Sequence, residues 1–252
     1  MAEDCRDEHD YEHEHDIMYD ITPQEIEIKN REFEAATPQQ ILAWAIPRFS
    51  PGIGMTSSFG ADACALIHMA TRVDPKLPIY FIDTGYHFKA TLEYKERLRE
   101  LYDLNIIDVR PTMSRDRFIA DYGNDLNQRD PDKCCEINKV EPFQRALSFL
   151  KVWITGIRRQ QSKTRADAKF VEIYAEGPIK INPLLNWTKR EVWKYILTNK
   201  IPYNPLADMG YKSIGCEPCT RPVGEGQDER SGRWAGTGKT ECGLHTFMHR
   251  EN

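Results

Sequence analysis

Residues 78–83 read Pro-Ile-Tyr-Phe-Ile-Asp, a short apolar run that ends on an aspartate. A continuous apolar run of this length is typical of a strand buried on both faces, as in a parallel sheet. Segments with helical periodicity lie on both sides of it and alternate with other short apolar segments. The sequence therefore predicts an α/β fold with a doubly wound, mostly parallel sheet.

The same alternation continues along the chain and sets the predicted boundaries. Further strands are predicted at residues 52–58, 105–110 and 151–157, and helices at 38–46, 61–73, 89–101, 136–150 and 188–200. The acidic stretch that precedes them predicts a solvated, disordered tail over residues 1–30. We expect an α/β domain over 31–210 and a mobile C-terminal segment, rich in glycine, proline and charge, over 211–252.

Composition narrows the classes of function. The chain of 252 residues has 34 Lys and Arg against 39 Asp and Glu, and this net charge of −5 disfavours nucleic acid or an anionic membrane as a general partner. No apolar run has transmembrane length and no secretory signal is evident, so a cytoplasmic location is expected. Seven cysteines, an odd number, disfavour a disulfide framework and favour metal binding or thiol chemistry.

Two polar turns follow predicted strands and form the first candidate site. Backbone N–H groups and hydroxyls at such a position bind phosphate-like anions, and ligands of open α/β sheets lie at the carboxyl ends of the strands. An ordinary turn or helix cap is the alternative for each. The candidate residues are Ser57, Ser58, Phe59 and Gly60 in the first turn, and Asp83, Thr84 and Gly85 in the second.

Arginines supply a second candidate feature. Arg158 and Arg159 come directly after the predicted strand 151–157, and Arg230 and Arg233 lie in the C-terminal segment. Because guanidinium groups bind phosphate or sulfate in a bidentate way, these four predict a local anion site. Surface arginines without a ligand are the alternative for any one of them.

Four cysteines form two close pairs, Cys134 with Cys135 and Cys216 with Cys219. Four thiolates are the ligand set of a structural zinc ion or of an iron–sulfur cluster. Adjacent cysteines fit a zinc ribbon poorly, so a [4Fe–4S] cluster is the favoured interpretation and zinc the alternative. A thioredoxin-like redox pair at the second pair is disfavoured, since no strand-to-helix turn of that fold precedes it.

A further cysteine, Cys242, lies in a glycine-rich stretch near the end of the chain. Lys239 and His245 are close to it in sequence and would favour its thiolate, which is the nucleophilic form. The alternative is an idle thiol in an exposed segment. Cys242 is therefore a candidate nucleophile.

Taken in order, these motifs resemble those of the assimilatory sulfonucleotide reductases that carry an iron–sulfur cluster. Such enzymes reduce adenylyl sulfate or its 3′-phosphorylated form, and the resemblance extends from about residue 50 to His249. The motifs are Ser57-Ser58-Phe59-Gly60, Asp83-Thr84-Gly85-Tyr86, Cys134-Cys135 with Lys139, the stretch 156–162, Cys216 with Cys219, Arg230 with Arg233, and Glu241-Cys242-Gly243-Leu244-His245.

The resemblance implies a Rossmann-like fold of the adenine-nucleotide α-hydrolase type and a specific reaction. Cys242 would attack the sulfur of the sulfonucleotide, and thioredoxin or glutaredoxin would release sulfite from the resulting thiosulfonate. Charge at the sulfate would be offset by Lys139, Arg230, Arg233 and His245. Cys134, Cys135, Cys216 and Cys219 would hold a [4Fe–4S] cluster that does not carry the transferred electrons.

Different motifs of the chain indicate different substrate nucleotides. In the family the paired-cysteine pattern mostly accompanies adenylyl sulfate, which is the expected substrate, whereas the stretches 57–60 and 137–142 are similar to the branch without a cluster. Use of the 3′-phosphorylated nucleotide, or of both, is thus the alternative. More distant alternatives are an iron–sulfur sensor without turnover and an ATP-pyrophosphatase-type sulfurtransferase. The sequence leaves the oligomeric state open, a homo-oligomer included.

Overall fold

A computed structural model describes residues 21–174, 177–239 and 241 of the chain. Its sheet has six strands in the order β3-β2-β1-β4-β6-β5. The strands are β1 (Ile53–Thr56), β2 (Ile79–Ile82), β3 (Ile106–Val109), β4 (Val152–Ile154), β5 (Val171–Glu172) and β6 (Ile179–Ile181). All neighbouring pairs are parallel except β5 with β6, so the predicted doubly wound, mostly parallel sheet is confirmed.

Helices cover both faces of this sheet, as alternation of strands and helices requires. The helices are α1 (Pro23–Phe33), α2 (Pro38–Phe49), α3 (Ala61–Ala70), α4 (Lys89–Tyr102), α5 (Arg115–Tyr122), α6 (Leu126–Arg129), α7 (Pro131–Cys135), α8 (Glu141–Leu147) and α9 (Lys189–Thr198). Thr37 and Gln40 form a reciprocal capping box at the start of α2, with proline at its first position. No helix in the described part of the chain is long and apolar enough to cross a membrane.

The core lies on the two faces of the sheet. The larger cluster joins α2, α3 and α9 to the fully apolar strand β2 and to its neighbours. The smaller cluster lies on the opposite face, where Phe143 of α8 packs edge-on against Trp153 of β4 with ring centroids 4.8 Å apart. Since both faces are covered, the central strands are apolar throughout rather than alternating.

The predicted tail over residues 1–30 is wrong at its C-terminal end. Helix α1 begins at Pro23, and the Asn30 side chain both donates to the Val171 carbonyl and accepts from its N–H, at 2.9 Å each. Phe33 then packs edge-on against Trp44. Ordered packing thus starts before residue 31, while residues 1–20 lie outside the described part of the chain.

The predicted helix over 136–150 is also corrected. Helix α7 passes into one π-helical turn at Glu136–Val140 and then into α8, which ends at Leu147. Pro142 explains the change of helix type, because its nitrogen cannot donate to a carbonyl one turn earlier. The turn carries Lys139, and single π-helical turns are frequent at functional sites.

Candidate functional site

A cavity of about 460 Å³ opens at the carboxyl ends of β1 and β4, where the strand order changes direction. Crevices at this point of a doubly wound sheet are the usual ligand sites. Seven of the residues predicted to contact substrate or to act in catalysis line it: Ser57, Ser58, Gly60, Lys139, Arg158, Arg230 and Arg233.

The turn after β1 exposes hydrogen-bond donors to the cavity. Gly60 precedes α3, and none of the described side chains caps the first turn of that helix. The Ser57 hydroxyl instead accepts a hydrogen bond from the Phe59 N–H at 3.0 Å. The free N–H groups and the helix dipole favour an anion here.

Phe59, which was predicted to contact substrate, does not line the cavity. Its backbone is left-handed, with φ of 54°, and this turns the ring into the core. There the ring packs edge-on against Phe81 and Tyr94, with centroids 5.6 and 6.5 Å away. Phe59 therefore anchors the turn after β1 to the core.

Arg158 lines the cavity with its side chain only 1% exposed. Its Nε lies 2.5 Å from Asp62 Oδ1, and its Nη2 lies 3.0 Å from Glu229 Oε2. Two carboxylates therefore already offset its charge. Asp62 and Glu229, which the sequence analysis did not single out, contribute negative charge to the same cavity.

Arg159 points away from the cavity, contrary to the prediction. Its Nη2 pairs with Glu34 at 2.8 Å, its Nε donates to the Ala168 carbonyl, and its guanidinium lies over the Phe170 ring. Arg159 thus ties α1 to the loop after β4. It stabilises the fold instead of forming part of the anion site.

The second predicted turn also lies outside the cavity. Asp83 accepts from the Gly85 N–H at 3.1 Å and pairs with Arg110 at 3.0 Å. The Thr84 hydroxyl is directed to the Cys216 sulfur. The prediction that Asp83, Thr84 and Gly85 contact substrate is therefore not supported by their placement.

The four paired cysteines meet in a separate, smaller pocket, which we call the thiol pocket. Cys134, Cys135, Cys216 and Cys219 all line it, and so does Trp234. Lys139 and Arg233 line both this pocket and the large cavity. The two sites are thus neighbours with a shared wall of positive charge.

Burial and mutual repulsion act on the thiols. Burial, together with the neighbouring thiols of Cys135 and Cys216, raises the pKa of Cys134 to about 12. The pKa of Cys219 is raised for the same reasons, and Lys139 partly offsets the shift. Among the described residues, no three or more His, Cys, Asp or Glu side chains form a group that could hold a metal ion.

Two residues that the sequence analysis did not assign to the site complete it. Arg165 lines the cavity and, with Arg230, pairs with Glu241. Gly215 leaves room for the guanidinium of Arg233, which any side chain there would displace. The proximity of Arg165 to the other arginines in sequence was the available signal, whereas Gly215 gave none. The predicted catalytic residues Cys242 and His245 lie outside the described residues.

Comparisons with known proteins agree with this geometry. The model of the family "Phosphoadenosine phosphosulfate reductase domain" matches residues 52–222. Proteins named adenosine 5′-phosphosulfate reductase are similar to this chain. That of Bacillus cereus strain AH187 is 43% identical over 86% of this chain and 93% of its own. That of Bacillus cereus strain B4264 is 40% identical over 91% of this chain and 99% of its own.

Solved structures give the same result. A phosphoadenylyl-sulfate reductase from Candida auris, in complex with phosphate, is 30% identical with a TM-score of 0.71, over 81% of this chain and 99% of that one. FMN adenylyltransferase from Candida glabrata, 22% identical with a TM-score of 0.55 over 80% of this chain and 68% of that one, shares the fold alone. The chain therefore belongs to the phosphoadenosine phosphosulfate reductase domain family.

Proposed function

We propose that this protein reduces adenosine 5′-phosphosulfate to sulfite and AMP, with thioredoxin or glutaredoxin as the thiol reductant. The observation that carries the proposal is the wall shared by the two pockets, where Lys139 and Arg233 line both the cavity and the thiol pocket. The names of the bacterial relatives support the choice of substrate.

The cavity suits an adenine sulfonucleotide in size and charge. Its volume of about 460 Å³ falls within the range of small-molecule sites. The uncapped start of α3 provides donors for a phosphate group, and Lys139, Arg230 and Arg233 provide positive charge for the sulfate.

In the proposed reaction the Cys242 thiolate attacks the sulfur of the sulfonucleotide. A sulfur–sulfur bond forms while the sulfur–oxygen bond to the phosphate breaks, and AMP leaves with the electron pair. Because a thiolate and a sulfate repel each other, Lys139, Arg230, Arg233 and His245 would stabilise the charge that develops.

The second half of the reaction needs an external dithiol. One thiolate of the reductant attacks the Cys242 sulfur and expels sulfite. This step leaves a mixed disulfide between Cys242 and the reductant. Its second thiol then displaces the Cys242 thiolate. The reductant ends as a disulfide, sulfur is reduced by two electrons, and the enzyme returns to its starting state.

The thiol pocket offers four cysteines, which is the ligand number and ligand chemistry of a [4Fe–4S] cluster, although in the described structure these thiols do not form a group that could hold a metal ion. Cys134, Cys135, Cys216 and Cys219 would hold it, and zinc is the alternative occupant. When bound, the cluster would tie helix α7 to the C-terminal segment. The described cysteines are free thiols, which is consistent with the reducing cytosol as the proposed location.

An anaerobic sulfite-release assay tests the proposal. Adenosine 5′-phosphosulfate and its 3′-phosphorylated form are supplied in parallel with thioredoxin, and the visible spectrum of the protein is recorded. We expect preference for the unphosphorylated nucleotide and absorbance near about 400 nm. Preference for the 3′-phosphate, which the Candida auris neighbour makes the second candidate, would overturn the substrate assignment. A protein inert on both would overturn the function.

Cys242→Ser is the matched variant for the nucleophile. We expect it to bind nucleotide and to keep the visible spectrum, but to release no sulfite, because the hydroxyl is a far weaker nucleophile than a thiolate. Measurable turnover by this variant would exclude Cys242 as the attacking group.

A further inference from the structure

We propose that Glu241 is a positioning residue that docks the segment bearing Cys242 onto the guanidinium wall of the cavity. The expected effect on turnover rests on the proposed function. The docking itself is inferred from the contacts of Glu241. Glu241 directly precedes the proposed nucleophile Cys242 in the sequence. Whatever holds Glu241 therefore holds the start of the reactive segment.

The Glu241 carboxylate is held from several sides. Its Oε1 lies 3.0 Å from Arg165 Nη2 and 2.7 Å from Arg230 Nη2, and its Oε2 accepts from Arg165 Nε at 3.2 Å. The Thr164 and Ser162 hydroxyls donate to Oε2 at 3.1 and 3.3 Å. With the Glu241 side chain only 8% exposed, these charge-assisted bonds are little screened by solvent.

A second anchor lies two residues earlier. Lys239 Nζ lies 2.7 Å from Asp132 Oδ1 and 3.4 Å from the Pro131 carbonyl, and it sits over the Trp234 ring. Asp132 belongs to α7, the helix that carries two cysteines of the thiol pocket. Lys239 therefore contacts the thiol-bearing helix, and Glu241 contacts the arginines of the cavity.

The same contacts suggest a competing role that makes the opposite prediction. Arg165 and Arg230 line the cavity, so Glu241 could occupy cations that the substrate anion needs. In that case removal of its charge would strengthen nucleotide binding. A positioning role instead lowers turnover and leaves binding nearly unchanged.

Glu241→Gln separates the two, with the exposed Glu225→Gln in the same segment as the matched control. We expect kcat to fall by on the order of tenfold or more, while KM and the dissociation constant of AMP stay within about twofold of the wild type. Tighter AMP binding with kcat retained, or a kcat equal to that of the control, would overturn the positioning role.

Limited trypsin digestion provides a readout that does not depend on activity. Docking protects the bond after Lys239, so mass spectrometry should show that this bond is cleaved on the order of fivefold faster in Glu241→Gln than in Glu225→Gln. Equal cleavage rates would exclude docking through Glu241. If the wild type released no sulfite, the proposed function would fail while this digestion still decided the docking.

Discussion

The Thr84 hydroxyl lies 3.3 Å from the thiol sulfur of Cys216, although the two residues are far apart in the chain. Nearby, the Glu217 N–H donates to the Tyr86 carbonyl at 2.7 Å, and His87 forms a β-bridge with Cys216. The turn after β2 is thus attached to the loop that carries the second cysteine pair. Its polar residues hold the thiol pocket in place.

Loss of this contact should destabilise the thiol pocket and leave binding of the nucleotide unchanged. Thr84 is only 3% exposed, and Val has nearly its shape, so Thr84→Val removes two hydrogen bonds, with Cys216 Sγ and with the Tyr86 N–H, at a cost of about 1–3 kcal/mol. We expect the visible absorbance to fade several-fold faster in air, with KM for the nucleotide unchanged. A raised KM with a stable spectrum would show instead that Thr84 contacts substrate.

The cysteines of the thiol pocket can be compared with a buried cysteine outside it. Cys64 is 1% exposed and accepts a hydrogen bond from the Tyr94 hydroxyl at 2.9 Å, so Cys64→Ala should cost about 1 kcal/mol of stability and keep bound iron. Cys135→Ala removes a ligand of the proposed cluster and should lose both iron and activity. A colourless, fully active Cys135→Ala protein would refute the role of the cluster.

Much of this architecture could be predicted because it follows from local chemistry. The apolar run at 78–83 predicted β2, and the rule that ligands lie at the carboxyl ends of strands located the cavity. Strands β5 and β6 could not be predicted, since they have only two and three residues and no readable periodicity. The edge of the sheet is set by tertiary contacts such as that between Asn30 and Val171.

The direction of individual side chains was less predictable than the location of the site. Arg158 and Arg159 are adjacent, and the backbone at Arg158 is extended, with φ of −127° and ψ of 142°. Neighbouring residues in extended backbone point to opposite sides, so only one of the two could face the cavity. Which one does so depends on Asp62 and Glu34, which the chain brings close only after it folds.

This difference between the two arginines predicts that their replacement by alanine has unequal effects on stability and turnover. Arg159→Ala breaks a partly exposed pair with Glu34 and should cost up to about 1 kcal/mol, with kcat and KM within about twofold of the wild type. Arg158→Ala leaves Asp62 and Glu229 without their buried cation. These carboxylates are a quarter exposed, so we expect a loss of about 2–3 kcal/mol, together with weaker turnover. Urea unfolding and steady-state kinetics measure both, and equal effects would contradict the assigned directions.

His68 predicts a pH dependence of stability that is independent of the active site. Its Nδ1 lies 2.9 Å from the Tyr195 hydroxyl, its Nε2 lies 3.3 Å from Arg72 Nη2, and its ring packs against Tyr102. Burial lowers the pKa of His68, and the charge of Arg72 lowers it further.

The sign of the effect follows from proton uptake. In the unfolded chain the pKa of a histidine is about 6.5. Just below that pH, His68 is protonated in the unfolded chain but remains neutral in the native protein. The free energy of unfolding should therefore decrease as the pH falls from about 6.5 toward the lowered native pKa. His68→Gln lacks this contribution, and urea unfolding between pH 7.5 and 5.5 should show a shallower decrease for the variant than for the wild type. Parallel curves would mean that native His68 takes up its proton as readily as the unfolded chain does.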